Sequence, residues 1–291
     1  MRILIDYRPA LRRRTGVGLW VAKLVEALAT LTASPPLQVI AFSSSWKDAL
    51  SRSLPPGVVR SDHRVPVKVL NWLWHRREWP AVETLGPSRL DIVHSPSPLL
   101  IPTCGAARLV TIHDLDFLDH PEHTAREVRR DYAALARQHA HRADRIVTPS
   151  HYTADEVASR FQISRDRISV CANGAPSWAR RTSEPVDGHI LFVGTVAPRK
   201  NLDRLLSAYA LLLQRRSTLP SLVIVGQAEA GAVEIMARLD SPPLAGHVRM
   251  TGYVDAATLR ALYEKAVLLA LPSLDEGFGI PALEALSLIH I

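Results

Sequence analysis

The sequence predicts an α/β protein made of two doubly wound parallel-sheet lobes. Three observations carry that expectation. Strand-like apolar runs alternate with helix-like segments from the N-terminus onward, the pattern of βαβ units. The alternation halts at the polar, aperiodic stretch Arg180–Gly188 (RRTSEPVDG) and then starts again. The length of 291 residues exceeds what one hydrophobic core commonly serves. The expected organisation is an N-terminal lobe over 1–180, a linker over 181–188 and a C-terminal lobe over 189–291.

Taken in order, Arg2–Asp6 (RILID) reads as the first strand. A loop over Tyr7–Thr15 leads to Gly16-Val17-Gly18, and a helix follows over about Leu19–Leu31 with Val21, Leu24, Val25 and Leu28 on one face. Leu37–Phe42, Leu90–His94 and Leu109–His113 read as strands. Thr124–His141 reads as a long, charge-rich helix and Arg145–Pro149 as a strand. Ser150 caps a helix running to Arg160. Ile168–Cys171 is a short strand. After the linker, His189–Gly194, Leu222–Gly226, Val248–Tyr253 and Val267–Leu271 are strands. Helices are expected over Asn201–Arg216 and Asp255–Lys265, and from about Pro281.

The composition, 47% hydrophobic and 22% charged, is that of a globular chain. The formal charge of +7 suits an anionic partner, whether nucleotide phosphates, nucleic acid or an acidic membrane surface, and does not choose among them. Cys104 and Cys171 form no CxxC spacing, which argues against a thiolate zinc site and for two buried, inert thiols in a reducing compartment. The N-terminus reads as a strand and not a signal peptide. No apolar run approaches about 18 residues, so a cytoplasmic address is expected. One stretch, Lys68–Trp79 (KVLNWLWHRREW), leaves peripheral membrane contact open: its tryptophans either meet lipid at the headgroup level or pack on the first lobe, and burial is the favoured reading.

Two segments concentrate groups with binding chemistry. In Val193–Asn201 (VGTVAPRKN) a strand ends at Gly194, a short loop carries Arg199 and Lys200, and Asn201 stands at a helix start. Two cations beside a helix N-terminus make a diphosphate cradle, with Arg gripping oxygens in pairs and Lys acting as a point charge. A solvated basic turn is the competing reading. In Glu276–Glu284 (EGFGIPALE), Gly277 and Gly279 flank Phe278 and allow close backbone approach. Pro281 fits a first helical turn. Glu276 and Glu284 would then face the edge where α/β sheets take nucleotides, suited to vicinal hydroxyls. The competing reading is an ordinary first-turn glutamate held by the helix dipole.

GTVAPRKN followed by the Glu-x7-Glu element from Glu276 to Glu284 resembles glycosyltransferase family four, the retaining enzymes of GT-B fold. The loop at Gly16 and Gly18 and the segments NWLWHRREWP, DIVHSPSPLLIP, TIHDLDFLDHPEH, ADRIVTPSHYTADEV and VCANGAP are similar to its bacterial mannosyltransferase-like members, from residue 1 to about Leu286. The resemblance implies a GT-B fold, two Rossmann-like lobes facing a cleft. It implies transfer of a hexosyl group, with mannose as the lean, from a nucleoside-diphosphate sugar to the hydroxyl of a glycan or lipid-linked acceptor, with retention and without a metal, in polysaccharide or glycolipid assembly. Arg199 and Lys200 would hold the donor diphosphate, Glu276 the sugar hydroxyls and Glu284 the ribose. Gly194, Gly277, Phe278 and Gly279 would line the donor. His113 would face the transferred sugar, although a lone His at a strand end is otherwise a structural residue. Gly16 and Gly18 would let the first-lobe loop approach donor and acceptor. Asp114-Leu115-Asp116 spells the D-x-D pattern of metal-dependent sugar transferases, but a cationic diphosphate site is already present. Asp114 is instead expected to orient His113 or cap the next turn. Arg12-Arg13-Arg14 either touches an anionic acceptor or is merely solvated.

The chain departs from the family after Glu284. The resemblance leads one to expect a Gly-Pro segment, a strand and further helices, whereas the chain ends EALSLIHI. The C-terminal lobe holds 103 residues against roughly 150 for a common domain. The expectation is a truncated second lobe with an exposed apolar sheet edge. Two competing functions fit the sequence less well. A nicotinamide-dependent oxidoreductase needs G-x-G-x-x-G, and Val21 stands where the third glycine belongs. A nucleic-acid binder needs basic residues on one face, and the arginines here are spread over both lobes. Oligomeric state is not legible.

Overall fold

The computed structural model describes residues 1–11, 16–32, 34–45, 50, 54–121, 131–216, 218–228 and 232–288. Arg12-Arg13-Arg14, residues 124–130 of the expected helix over Thr124–His141 and the terminal residues 289–291 lie outside them. The chain divides into two compact units, Met1–Ala172 and Asn173–Ile291.

The first unit contains β1 (Arg2–Asp6), α1 (Val17–Thr30), β2 (Gln38–Ser44), β3 (Val59–His63), α2 (Val67–Arg77), β4 (Ile92–Ser95) and β5 (Ala107–Thr111). It continues with α3 (Asp116–Asp119), α4 (Tyr132–Arg142), β6 (Arg145–Thr148), α5 (His151–Phe161) and β7 (Ile168–Val170). Its seven strands lie in the order β3-β2-β1-β4-β5-β6-β7, all parallel. Parallel sheets bury both faces, which is why these strands read as unbroken apolar runs. β1 displays the two-residue period directly. Ile3 and Ile5 pack with Val21 and Val25 of α1, while Leu4, pointing the other way, packs with Leu70 and Trp74 of α2. β3 (VRSDH) escaped the sequence reading because it is an edge strand, and edge strands tolerate charge. The Ser150 cap is present: its hydroxyl accepts from the Thr153 amide at 3.1 Å.

The second unit contains β8 (His189–Val193), α6 (Leu202–Arg215), β9 (Leu222–Val225), α7 (Val233–Leu239), β10 (Val248–Gly252), α8 (Ala256–Glu264), β11 (Ala266–Leu269) and α9 (Ile280–Leu288). Its four strands run parallel in the order β10-β9-β8-β11. Phe192 and Ile224 pack against Leu202, Leu206 and Tyr209 of α6, and Leu191 and Val223 against Tyr263 of α8. The unit begins earlier than the linker in the sequence suggested. The Trp178 ring lies 5.5 Å from that of Tyr263, and Arg181 donates from Nη1 to the Ala266 carbonyl at 3.0 Å. β11 is an edge strand with Val267 and Leu268 exposed. Among the described residues no helix is long and apolar enough to cross a membrane.

In both sheets the strand order reverses beside the first strand, between β1 and β4 and between β8 and β11. Open α/β sheets bind ligands at such switch points, outside the carboxyl ends of the strands.

Candidate active site

The second unit's switch point gathers the residues singled out around positions 199 and 276. β8 ends at Val193, Gly194 follows, and Pro198–Lys200 forms a 3₁₀ turn that delivers Arg199 and Lys200. β11 ends beside it and leads into the Pro272–Gly279 loop. Two bonds tie the loops together: the Leu274 amide donates to the Arg199 carbonyl at 2.8 Å, and Asn201 Nδ2 to the Pro272 carbonyl at 3.0 Å. Asn201 therefore does not cap α6 with its side chain, as its position suggested. It sits in the left-handed region (φ 53°, ψ 33°) and uses its amide to join the two loops. A third close approach depends on Gly226 after β9, where a Cβ would lie 1.9 Å from the Gly194 carbonyl oxygen.

Glu276 and the cation pair meet. Lys200 Nζ pairs with Glu276 Oε1, which also accepts from Ser273 Oγ at 2.7 Å; Arg199 Nη1 lies 3.9 Å from Oε2. Lys200 is only 8% exposed. An ammonium buried that far is costly without a counter-charge, so the Glu276 carboxylate explains why the side chain folds inward. Two cations share one acid, which leaves a local positive excess beside the start of α6. The Gly194 backbone packs ordinarily here, with its notional Cβ 3.8 Å from the Lys200 methylenes.

Gly277 and Phe278 continue the loop, and Gly279 adopts φ 79° immediately before α9, a conformation open to glycine at little cost. Pro281 lies in the first turn of α9 as expected. Glu284, on the same helix, makes no contact with the Arg199–Lys200–Glu276 group that the structure records. Its Oε2 accepts from the Tyr263 hydroxyl at 2.7 Å. Burial raises the Glu284 carboxyl, and the Tyr263 bond offsets only part of that rise. Burial and the facing carboxylate both push the Tyr263 phenol up, so it is the donor. Ser273 and Tyr263 were not singled out from sequence, since nothing in a lone Ser or Tyr reports a partner supplied by another element.

The first unit supplies a different set. His113 lies two residues beyond β5. Burial lowers it to about 4, against a hydrogen bond to the Pro96 backbone, and its Nε2 is buried with no partner among the described residues. Its ring meets Trp20 of α1 edge-on at 5.0 Å. His94, on β4, is lowered to about 4 by burial and by His113, and shares a 2.8 Å bond with Thr111 Oγ1. Both imidazoles are neutral at pH 7. Gly16 caps α1 with φ 51° and ψ −124°, a backbone that a side chain disfavours. Gly18 is buried inside the first turn of α1, not in the loop. Asp114 does not cap the following turn: Leu115 holds that position and α3 has no side-chain cap bond. Among the described residues, no group of three or more His, Cys, Asp or Glu side chains could hold a metal ion.

Two expectations about burial fail. Cys104 and Cys171 are both free and exposed. Of the three tryptophans around α2, only Trp74 is buried, donating from Nε1 to the Pro80 carbonyl at 2.9 Å. Trp72 is 55% and Trp79 64% exposed. Trp74 takes the core-facing position with Leu70, four residues apart and so on one face, and Trp72 falls on the opposite side.

Comparison with known proteins bears on family and fold. Residues 14–177 match the family model described as Glycosyltransferase Family 4, and residues 180–289 the model described as Glycosyl transferases group 1. O-antigen chain mannosyltransferase B of Escherichia coli is 26% identical over 312 aligned positions, covering 99% of this chain and 80% of that protein. O-antigen chain mannosyltransferase RfbU of Salmonella typhimurium is 26% identical over 178 positions, covering 61% of this chain and 49% of RfbU, so the chain matches about half the length of that relative. Among solved structures, WaaG, a glycosyltransferase involved in lipopolysaccharide biosynthesis, superposes with a TM-score of 0.68 at 16% identity, over 99% of this chain and 79% of that one. Anabaena HepE, solved in complex with UDP and glucose, gives 0.64 at 16% identity, over 99% and 78%. These two establish the fold. With the family 4 model spanning more than half its length, the chain belongs to glycosyltransferase family 4, and its two parallel sheets are those of the GT-B class.

Proposed function

We propose that the protein transfers a hexosyl group, mannose first among the candidates, from a nucleoside-diphosphate sugar to an acceptor hydroxyl with retention of anomeric configuration. The observation that carries this reading is the meeting of Arg199, Lys200 and Glu276 at the switch point of the second sheet. Arg199 and Lys200 would bind the diphosphate and stabilise the charge that develops on it as the bond to the anomeric carbon breaks. The acceptor oxygen takes that carbon on the same face, and the acceptor proton leaves with the nucleoside diphosphate. Glu276, released from Lys200 as phosphate oxygens replace it, would accept from hydroxyls of the sugar. Glu284 would hold the ribose. His113, neutral at pH 7, would supply an uncharged acceptor to the sugar once its Nε2, sealed from solvent here, is uncovered. The two cations provide the electrophilic charge, so no metal is required.

The acceptor is proposed to be a growing surface glycan of the O-antigen kind, in keeping with the named activities of the mannosyltransferase relatives. A lipid-linked acceptor and peripheral contact with the inner face of the membrane fit the exposed Trp72 and Trp79, flanked by Arg76 and Arg77. A screen of labelled UDP- and GDP-sugars tests the reading. Turnover of one donor is expected, reduced about a thousandfold in Lys200→Ala and in Glu276→Ala; both variants should still unfold cooperatively, Glu276→Ala at a lower temperature because it strands the buried Lys200 ammonium. Wild-type rates in both variants would remove the site.

A further inference from the structure

We propose that Tyr263 is a positioning residue for ribose recognition, holding one oxygen of Glu284 so that the other is presented to the nucleoside. The inference deepens the donor reading above and rests on it. Glu284 sits on α9 and Tyr263 on α8, 21 residues apart in sequence, and the two are joined by a 2.7 Å bond from the phenol to Oε2. The tyrosine is itself fixed. It is 3% exposed, packs with Leu191 and Val223 of the sheet, and meets the Trp178 ring at 5.5 Å. Its hydroxyl also lies 3.3 Å from the Pro281 carbonyl, in the first turn of the helix that carries Glu284.

The two carboxylate oxygens are therefore unequal. Oε2 is taken by a rigid donor. Oε1 has no hydrogen-bond partner among the described residues and is not one of the sealed, partnerless atoms. A carboxylate held at one oxygen keeps its other lone pairs in a fixed direction, whereas an unheld Glu would lose side-chain entropy on every binding event. The phenol also favours the charged carboxylate, which burial alone disfavours. Vicinal ribose hydroxyls are donors and would find an acceptor oxygen fixed in direction.

The test compares ribonucleotides with 2′,3′-dideoxynucleotides by titration calorimetry, with UDP and GDP as probes. The wild type should bind one ribonucleoside diphosphate at least about tenfold more tightly than its dideoxy counterpart. Tyr263→Phe, which removes only the hydroxyl, should lose that preference while its dideoxynucleotide affinity stays unchanged. A merely structural tyrosine would instead weaken both ligands equally. Should Tyr263→Phe fail to fold, Tyr263→Met, which fills the core position with a flexible apolar side chain and brings no hydroxyl, should lose the same preference. A ribose preference that persists in either folded variant, or an equal loss for both ligands, overturns the inference and leaves the donor site standing. If the wild type binds neither nucleotide, or Lys200→Ala binds as the wild type does, the donor reading falls and the inference with it.

Discussion

The two sheets share their central order, with the fourth strand on the far side of the first, yet they present opposite chemistry beside the switch point. In the first unit the groups there are neutral: His94 and His113, both driven to about 4 by burial, edged by Trp20. In the second they are ionic: Arg199 and Lys200 gathered around Glu276. One scaffold thus gives an uncharged hydrogen-bonding surface or a charged cradle, according to the residues that the loops after its strands deliver. A sugar hydroxyl suits the first and a diphosphate the second.

The comparison can be broken through backbone geometry. Gly226→Ala would drive a Cβ to 1.9 Å from the Gly194 carbonyl, so the loop carrying the cations must shift. A loss of about 3 kcal/mol in urea unfolding of the second unit is expected. Gly16→Ala, at φ 51° but with nothing within 4 Å of its Cβ, should cost the first unit roughly 1 kcal/mol. Equal effects would show that close approach does not distinguish the two loops.

Acid sharpens the same contrast. His75, His94 and His113 are lowered to about 4, and His63 and His139 are lowered too, all chiefly by burial and all in the first unit. Among the described histidines of the second unit only His189 is lowered. Each such histidine takes up a proton on unfolding that the folded state refuses. For His75, His94 and His113 the contribution is complete above about pH 6.5 and is lost as the pH falls toward 4. Hydrogen exchange should show the first unit weakening more than the second between pH 7 and 5. The reverse order would contradict the burial assigned to these rings.

Much of this arrangement was legible in the sequence because it follows from local pattern. The buried parallel strands appear as apolar runs, and the restart of the alternation marks the second unit. The Ser150 cap needs only its own helix. What was not legible involves partners far apart in the chain. Asn201 stands where a cap belongs, yet its amide crosses to Pro272. The donors Ser273 and Tyr263 acquire meaning only once β11, α8 and α9 are placed. The charged edge strand β3 carries no apolar signal. Trp72 and Trp74 differ by two positions, which on a helix is enough to send one into the core and the other into solvent.

The central claim is that the charged edge, and not the neutral one, holds the diphosphate. Titration of UDP and GDP into the wild type, Lys200→Ala and His113→Ala tests it directly. The account expects one nucleotide to bind the wild type and His113→Ala alike and to lose at least about a hundredfold in affinity with Lys200→Ala. Undiminished binding by Lys200→Ala, with the loss appearing in His113→Ala instead, would contradict it.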